Sequence, residues 1–92
     1  MTVYVISATD KPWLTLFSSS ELEAVAEAVA AQDDVAAASS IYATFDGKPR
    51  PLTDVERIEL FRRVLELRPD SRVASVELAL AQRNGRGASE AA

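Results

Sequence analysis

The chain has no cysteine and no histidine among its 92 residues. The first absence rules out a disulfide framework and any thiolate site. The second removes the commonest general base and the commonest transition-metal ligand together. Glycine is nearly as scarce: Gly47, Gly85 and Gly87 are the only three, and none stands ahead of a helix start in the spacing that cradles a phosphate. No stretch approaches the ~18 consecutive apolar residues of a membrane span, and no basic leader precedes an apolar run at the N-terminus. The expectation is a soluble cytoplasmic protein with no cofactor and no metal.

What charge there is falls unevenly. Residues 1–46 carry one Lys against seven acids, whereas residues 47–92 carry nine Lys and Arg against seven acids, within a net charge of −4. Such polarity between halves says more about partners than the total does.

The clearest local signal is Thr53 to Leu67, TDVERIELFRRVLEL. Thr53 and Glu56 have capping-box spacing, and Asp54 and Glu56 put negative charge where the helix dipole favours it. At 100° per residue, Ile58, Phe61, Val64 and Leu65 share one side, with Leu60 and Leu67 widening the arc. An arc that wide predicts burial against two neighbours. Glu59, Arg62, Arg63 and Glu66 gather on the opposite, solvated side, and Pro69 ends the helix.

The other elements follow from their periodicities. Thr2 to Ala8 reads as a strand, and Trp13 to Phe17 as a second, joined in a hairpin through Thr9 to Pro12. Ser18 with Glu21 and Ser20 with Glu23 offer two capping boxes for a helix reaching about Gln32, with Leu22, Val25, Ala26, Val29 and Ala30 as its stripe. Ile41 to Phe45 alternates as a third strand, closed by Asp46-Gly47 turn chemistry. Lys48-Pro49-Arg50-Pro51 has two residues without an N–H and is read as an extended connector. Asp70 or Ser71 caps a last helix to about Arg83, with Val73, Val76 and Leu80 as its stripe, Ala74, Leu78 and Ala81 beside it, and Asn84-Gly85 as its stop.

The predicted architecture is an α+β fold in the order β-β-α-β-α-α: a small mixed three-stranded sheet of spatial order 2-1-3, one crossover helix and a C-terminal αα-hairpin. Residues 1–84 form the single domain and 85–92 a flexible tail.

Candidate chemistry is thin. Asp33, Asp34 and Asp46 adjoin turns, but no paired geometry or apolar pocket is readable that would split two carboxyl pKa values, and calcium-loop spacing is missing. The serine run is capping material, since no Ser–His nucleophile can be built. Arg57 and Glu77 each intrude on an apolar arc; the favoured expectation is that each snorkels to water, the alternative that they meet across the αα-hairpin. The residues best suited to an exposed recognition surface are Trp13, Tyr42, Lys48, Arg50, Arg62 and Arg63, aromatics beside arginines being enriched at protein interfaces. The expected function is a non-catalytic protein-interaction or regulatory module binding another protein or a second copy of itself. The alternative is a DNA-associated accessory protein, a small repressor or antitoxin-like factor, using the Arg-rich second half.

Overall fold

The computed structural model describes residues 1–8, 10–11, 13–31 and 39–91, with backbone alone for 39, 40 and 85–91. The fold is α+β. Four strands, β1 (Thr2–Ala8), β2 (Thr15–Ser19), β3 (Ser39–Phe45) and β4 (Lys48–Pro51), and three helices, α1 (Leu22–Ala31), α2 (Asp54–Leu67) and α3 (Arg72–Ala91), follow in the order β-β-α-β-β-α-α.

The strands form one sheet of order β2-β1-β3-β4 with every neighbouring pair antiparallel. The expected 2-1-3 order is present within it. Two points of the expectation are corrected: the sheet has four strands rather than three, and it is antiparallel rather than mixed. The chain passes from β2 through α1 to β3 and skips over β1, so β3 lies alongside β1 with opposite sense.

The additional strand is the Lys48–Pro51 segment. Asp46 and Gly47 both have positive φ, at 52° and 78°, and link the Phe45↔Lys48 pair. That is the geometry of a two-residue hairpin turn whose twist matches the strands, and Asp-Gly is the dipeptide it favours. Pro49 and Pro51 alternate with Lys48 and Arg50, opposite Thr44 and Tyr42. In a tight hairpin closed by Phe45 and Lys48 these are the non-hydrogen-bonded positions, so the missing N–H groups point outward and cost no ladder bond.

β2 begins two residues later than the Trp13 start read from sequence, and its pairing with β1 shifts register between Ile6 and Ser7, leaving Leu16 as the extra residue. Ahead of α1 neither predicted capping box forms; instead the Ser19 hydroxyl accepts from the Glu21 N–H at 3.1 Å. The end of α1 expected at Gln32 lies outside the described residues.

The core is Ile6, Val25, Ala26, Val29, Leu60, Phe61, Val64 and Ala74, with Tyr4, Phe17, Leu22 and Ile41 packed against it. As the wide arc predicts, α2 lies between α1 and α3. Its cap is the predicted one: Thr53 Oγ1 accepts from the Glu56 N–H at 3.2 Å while the Glu56 carboxylate accepts from the Thr53 N–H at 2.9 Å.

α3 departs from its reading twice. Ser71, Ala74 and Ala81 are buried against α2, whereas Val76 and Leu80 are exposed. Small residues allow close helix approach, and this orientation also carries Glu77 to Arg57. The second departure is length, for the helix runs through Asn84-Gly85 to Ala91. Glycine disfavours a helix by only about 1 kcal/mol, and the following Ala, Ser and Glu tolerate one.

A carboxylate junction and an open sheet edge as candidate functional sites

The densest polar site is built around Glu56. Its carboxylate, 14% exposed, accepts from Arg50 Nη1 at 2.7 Å and Arg50 Nη2 at 3.0 Å, from the Tyr4 hydroxyl at 2.8 Å, and from both the N–H and the hydroxyl of Thr53. The elements deliver these groups for separate reasons. β4 carries Arg50 opposite Ala43, β1 carries Tyr4 on the helix-facing side of the sheet, and the capping box fixes Glu56 in the first turn of α2.

Arg50 is the main cause that holds the Glu56 carboxyl down at about 2, with help from the Thr53 N–H and the Tyr4 hydroxyl against the opposing effect of burial. Burial, with the hydrogen bond to the carboxylate second, pushes the Tyr4 phenol above its ordinary value. A carboxylate with these partners is locked as an anion and already satisfied. Its chemistry is that of a clasp joining two strands to a helix start.

A second polar feature is the open cleft of about 370 Å³ between α1 and α2, lined by Leu22, Glu23, Glu59 and Arg63. Arg63 spans it, donating to Glu23 at 3.1 Å and to Glu66 at 2.8 Å. Among the described residues no group of three or more acids is placed to hold a metal ion, and Asp33 and Asp34 lie outside those residues. Asp46 sits exposed in the β-turn.

The six residues expected to share a recognition surface are dispersed. Trp13 is 78% exposed in the turn between β1 and β2. Lys48 is at the opposite end of the sheet, since β1 runs from its Thr2↔Phe45 pair to its Ala8↔Ser39 pair. Tyr42 is half-buried beside Val5, on the sheet face away from the helices. Arg50 and Arg63 are engaged by carboxylates, and Arg62 is exposed on α2. Arg57 and Glu77 meet across α2 and α3 at 2.7 Å, which overturns the favoured expectation that each reaches separately into water.

Sequence reasoning missed the run that follows Trp13. Leu14 and Leu16 are 45% and 47% exposed, and with Trp13 they put three large apolar side chains on the surface within four residues. Leu16 lies in β2, an outer strand of the sheet, and Trp13 and Leu14 stand just ahead of it. The readable signal was that WLTLF contains no charge at all, on a strand whose hairpin order already placed it at an edge. Among the described residues no helix is long and apolar enough to cross a membrane. Compared with known proteins, the chain matches no family model, no curated protein and no solved structure.

Proposed function

We infer that this chain is a small non-catalytic protein-interaction module of the cytoplasm, and that it binds through the Trp13–Ser19 end of the sheet. The observation that carries this reading is the exposure of Trp13, Leu14 and Leu16 beside an edge strand that has neither proline nor charge. Exposed apolar side chains grouped at an unpaired strand edge are the ordinary footprint of a protein partner. The opposite edge supports the same reading by contrast, because β4 is protected by two prolines and two cations.

The nucleic-acid alternative draws less support. Arg50, Arg57 and Arg63 each hold a glutamate, so three of the nine cations of the second half are engaged within the fold. A phosphate-binding surface keeps such cations available.

A photo-crosslinking residue placed at Leu16, and in a control at Lys48, tests the reading in cells. The expected result is a discrete protein adduct from position 16 and none from 48. Equal labelling at both sites rejects the surface, and duplex DNA binding that weakens steeply with salt favours the alternative.

A further inference from the structure

We propose that the occupant of this surface is a second copy of the same chain, joined β2 to β2 across a two-fold axis so that two four-stranded sheets become one. The proposal rests on the reading of the Trp13–Ser19 end as a binding surface and names its partner. Three observations select a copy of this chain over an unrelated segment.

The first is the inequality of the two edges. Pairing β2 of one molecule with β4 of the next would be head to tail and would propagate without limit. Pro49 and Pro51 block that mode by removing the N–H groups on the outer side of β4. β2 is left as the one described edge able to pair, and an edge that pairs with itself closes at a dimer.

The second is backbone direction. Ala8 donates its N–H to the Leu14 carbonyl, so the even-numbered residues of β1 turn their backbone groups toward β2. Ile6 is opposite Phe17 and Val5 opposite Ser18. Phe17 therefore directs its N–H and C=O inward to β1, and Ser18 directs its own outward. Two antiparallel copies centred on Ser18 exchange a pair of backbone hydrogen bonds.

The third is self-complementarity of charge and shape. Thr15–Ser19 carries no ionisable group, so a copy meets no like charge there, whereas a charged peptide would find no counter-ion. α1 packs over β1 and β2, and Glu23 marks the flank of α1 that faces Arg63 of α2. At 100° per residue Ala24 and Ala28 fall on the other flank, toward the β2 edge. A two-fold axis at Ser18 brings these alanines together and, by antiparallel register, sets Glu21, which shares their flank at the helix start, toward the Thr15 end of the other copy rather than against its counterpart. The register shift leaves Leu16 as the one unpaired residue of the strand, so its exposed side chain, with those of Trp13 and Leu14 just before it, can pack beside the joined strands.

Size-exclusion chromatography with light scattering on the full chain reads this directly. The wild-type protein is expected at twice the mass of one chain. Ser18→Pro removes the outward N–H and Leu16→Lys places a cation at the edge, and each is expected to give the single-chain mass with an unchanged circular dichroism spectrum. Should Ser18→Pro fail to fold, Leu16→Lys decides alone, since Leu16 is already half exposed. A single-chain mass for the wild type at every concentration up to its solubility limit overturns the proposal. So does a dimer that survives in folded Leu16→Lys. If the wild type is monomeric while position 16 still crosslinks to a different protein, the second copy is rejected and the interaction reading stands.

Discussion

Arg50 grips Glu56 with both terminal nitrogens, at 2.7 and 3.0 Å, and so ties the last strand to the first turn of the helix six residues further along the chain. The same carboxylate caps α2 and receives Tyr4 from β1, so one side chain serves local and long-range structure at once.

Acid sensitivity follows from that grip. The Glu56 carboxyl lies at about 2 in the fold against an ordinary 4.5. A depressed carboxyl contributes stability that is fully present above the unfolded value and is lost as pH falls through the folded one. The window is therefore pH 4.5 down to about 2. Because Arg50 is partly exposed, solvent screening reduces the contribution to on the order of 2 kcal/mol. Urea titrations should show Glu56→Gln losing about that much at neutral pH and declining less than the wild type toward pH 2.

Tyr4 supplies the alkaline counterpart. Its phenol donates to Glu56 at 2.8 Å and ionises above the ordinary 10.0, so its contribution holds below that value and is lost as pH rises through the folded one. Tyr4→Phe should lower stability at neutral pH by about 1 kcal/mol. Absorbance titration should then lose the phenol that ionises above the ordinary value, and an unaltered tyrosinate curve would contradict the assignment.

Arg57 and Glu77 lie 20 positions apart and meet at 2.7 Å, with 38% and 31% of their side chains exposed. Exposure of that degree limits a pair to about 0.5 kcal/mol of coupling. A double-mutant cycle with Arg57→Ala and Glu77→Ala should return a favourable coupling of this size that shrinks in high salt. Strict additivity would mean that the contact contributes nothing in solution.

Pro49 and Pro51 predict a change of assembly more than of stability. Replacing both with threonine restores outward N–H groups on β4 and opens the second edge. Concentration-dependent growth beyond a dimer should appear in light scattering, whereas the wild type keeps a fixed mass. Unchanged scattering would show that these prolines do not guard the edge.

The parts legible from sequence are those whose chemistry is local. Thr53 and Glu56 announce a cap whatever packs around it, and the Thr2–Ala8 alternation survives intact as β1. The errors arise where a residue's role depends on direction. Pro49 and Pro51 suggest an unpaired connector until it is known that they alternate on the outer side of a hairpin, even though Asp46-Gly47 announces that hairpin. Val76 and Leu80 outrank Ala74 and Ala81 in hydrophobicity, but close helix packing beside an ion pair favours the alanines. The Glu56 junction was half visible: the capping box was read, while Arg50 and Tyr4 arrive through sheet register, which no local pattern encodes.

The seating of α3 has a dynamic consequence. It rests chiefly on α2 and, of its described residues, gives Ala74 to the main core with Leu78 packed against it, while the sheet, α1 and α2 supply the rest of that core. A helix so attached can detach as a unit without opening the remainder. Its amides would then exchange with deuterium through a partial unfolding that leaves the strands protected, giving the domain a removable outer layer over a more durable interior.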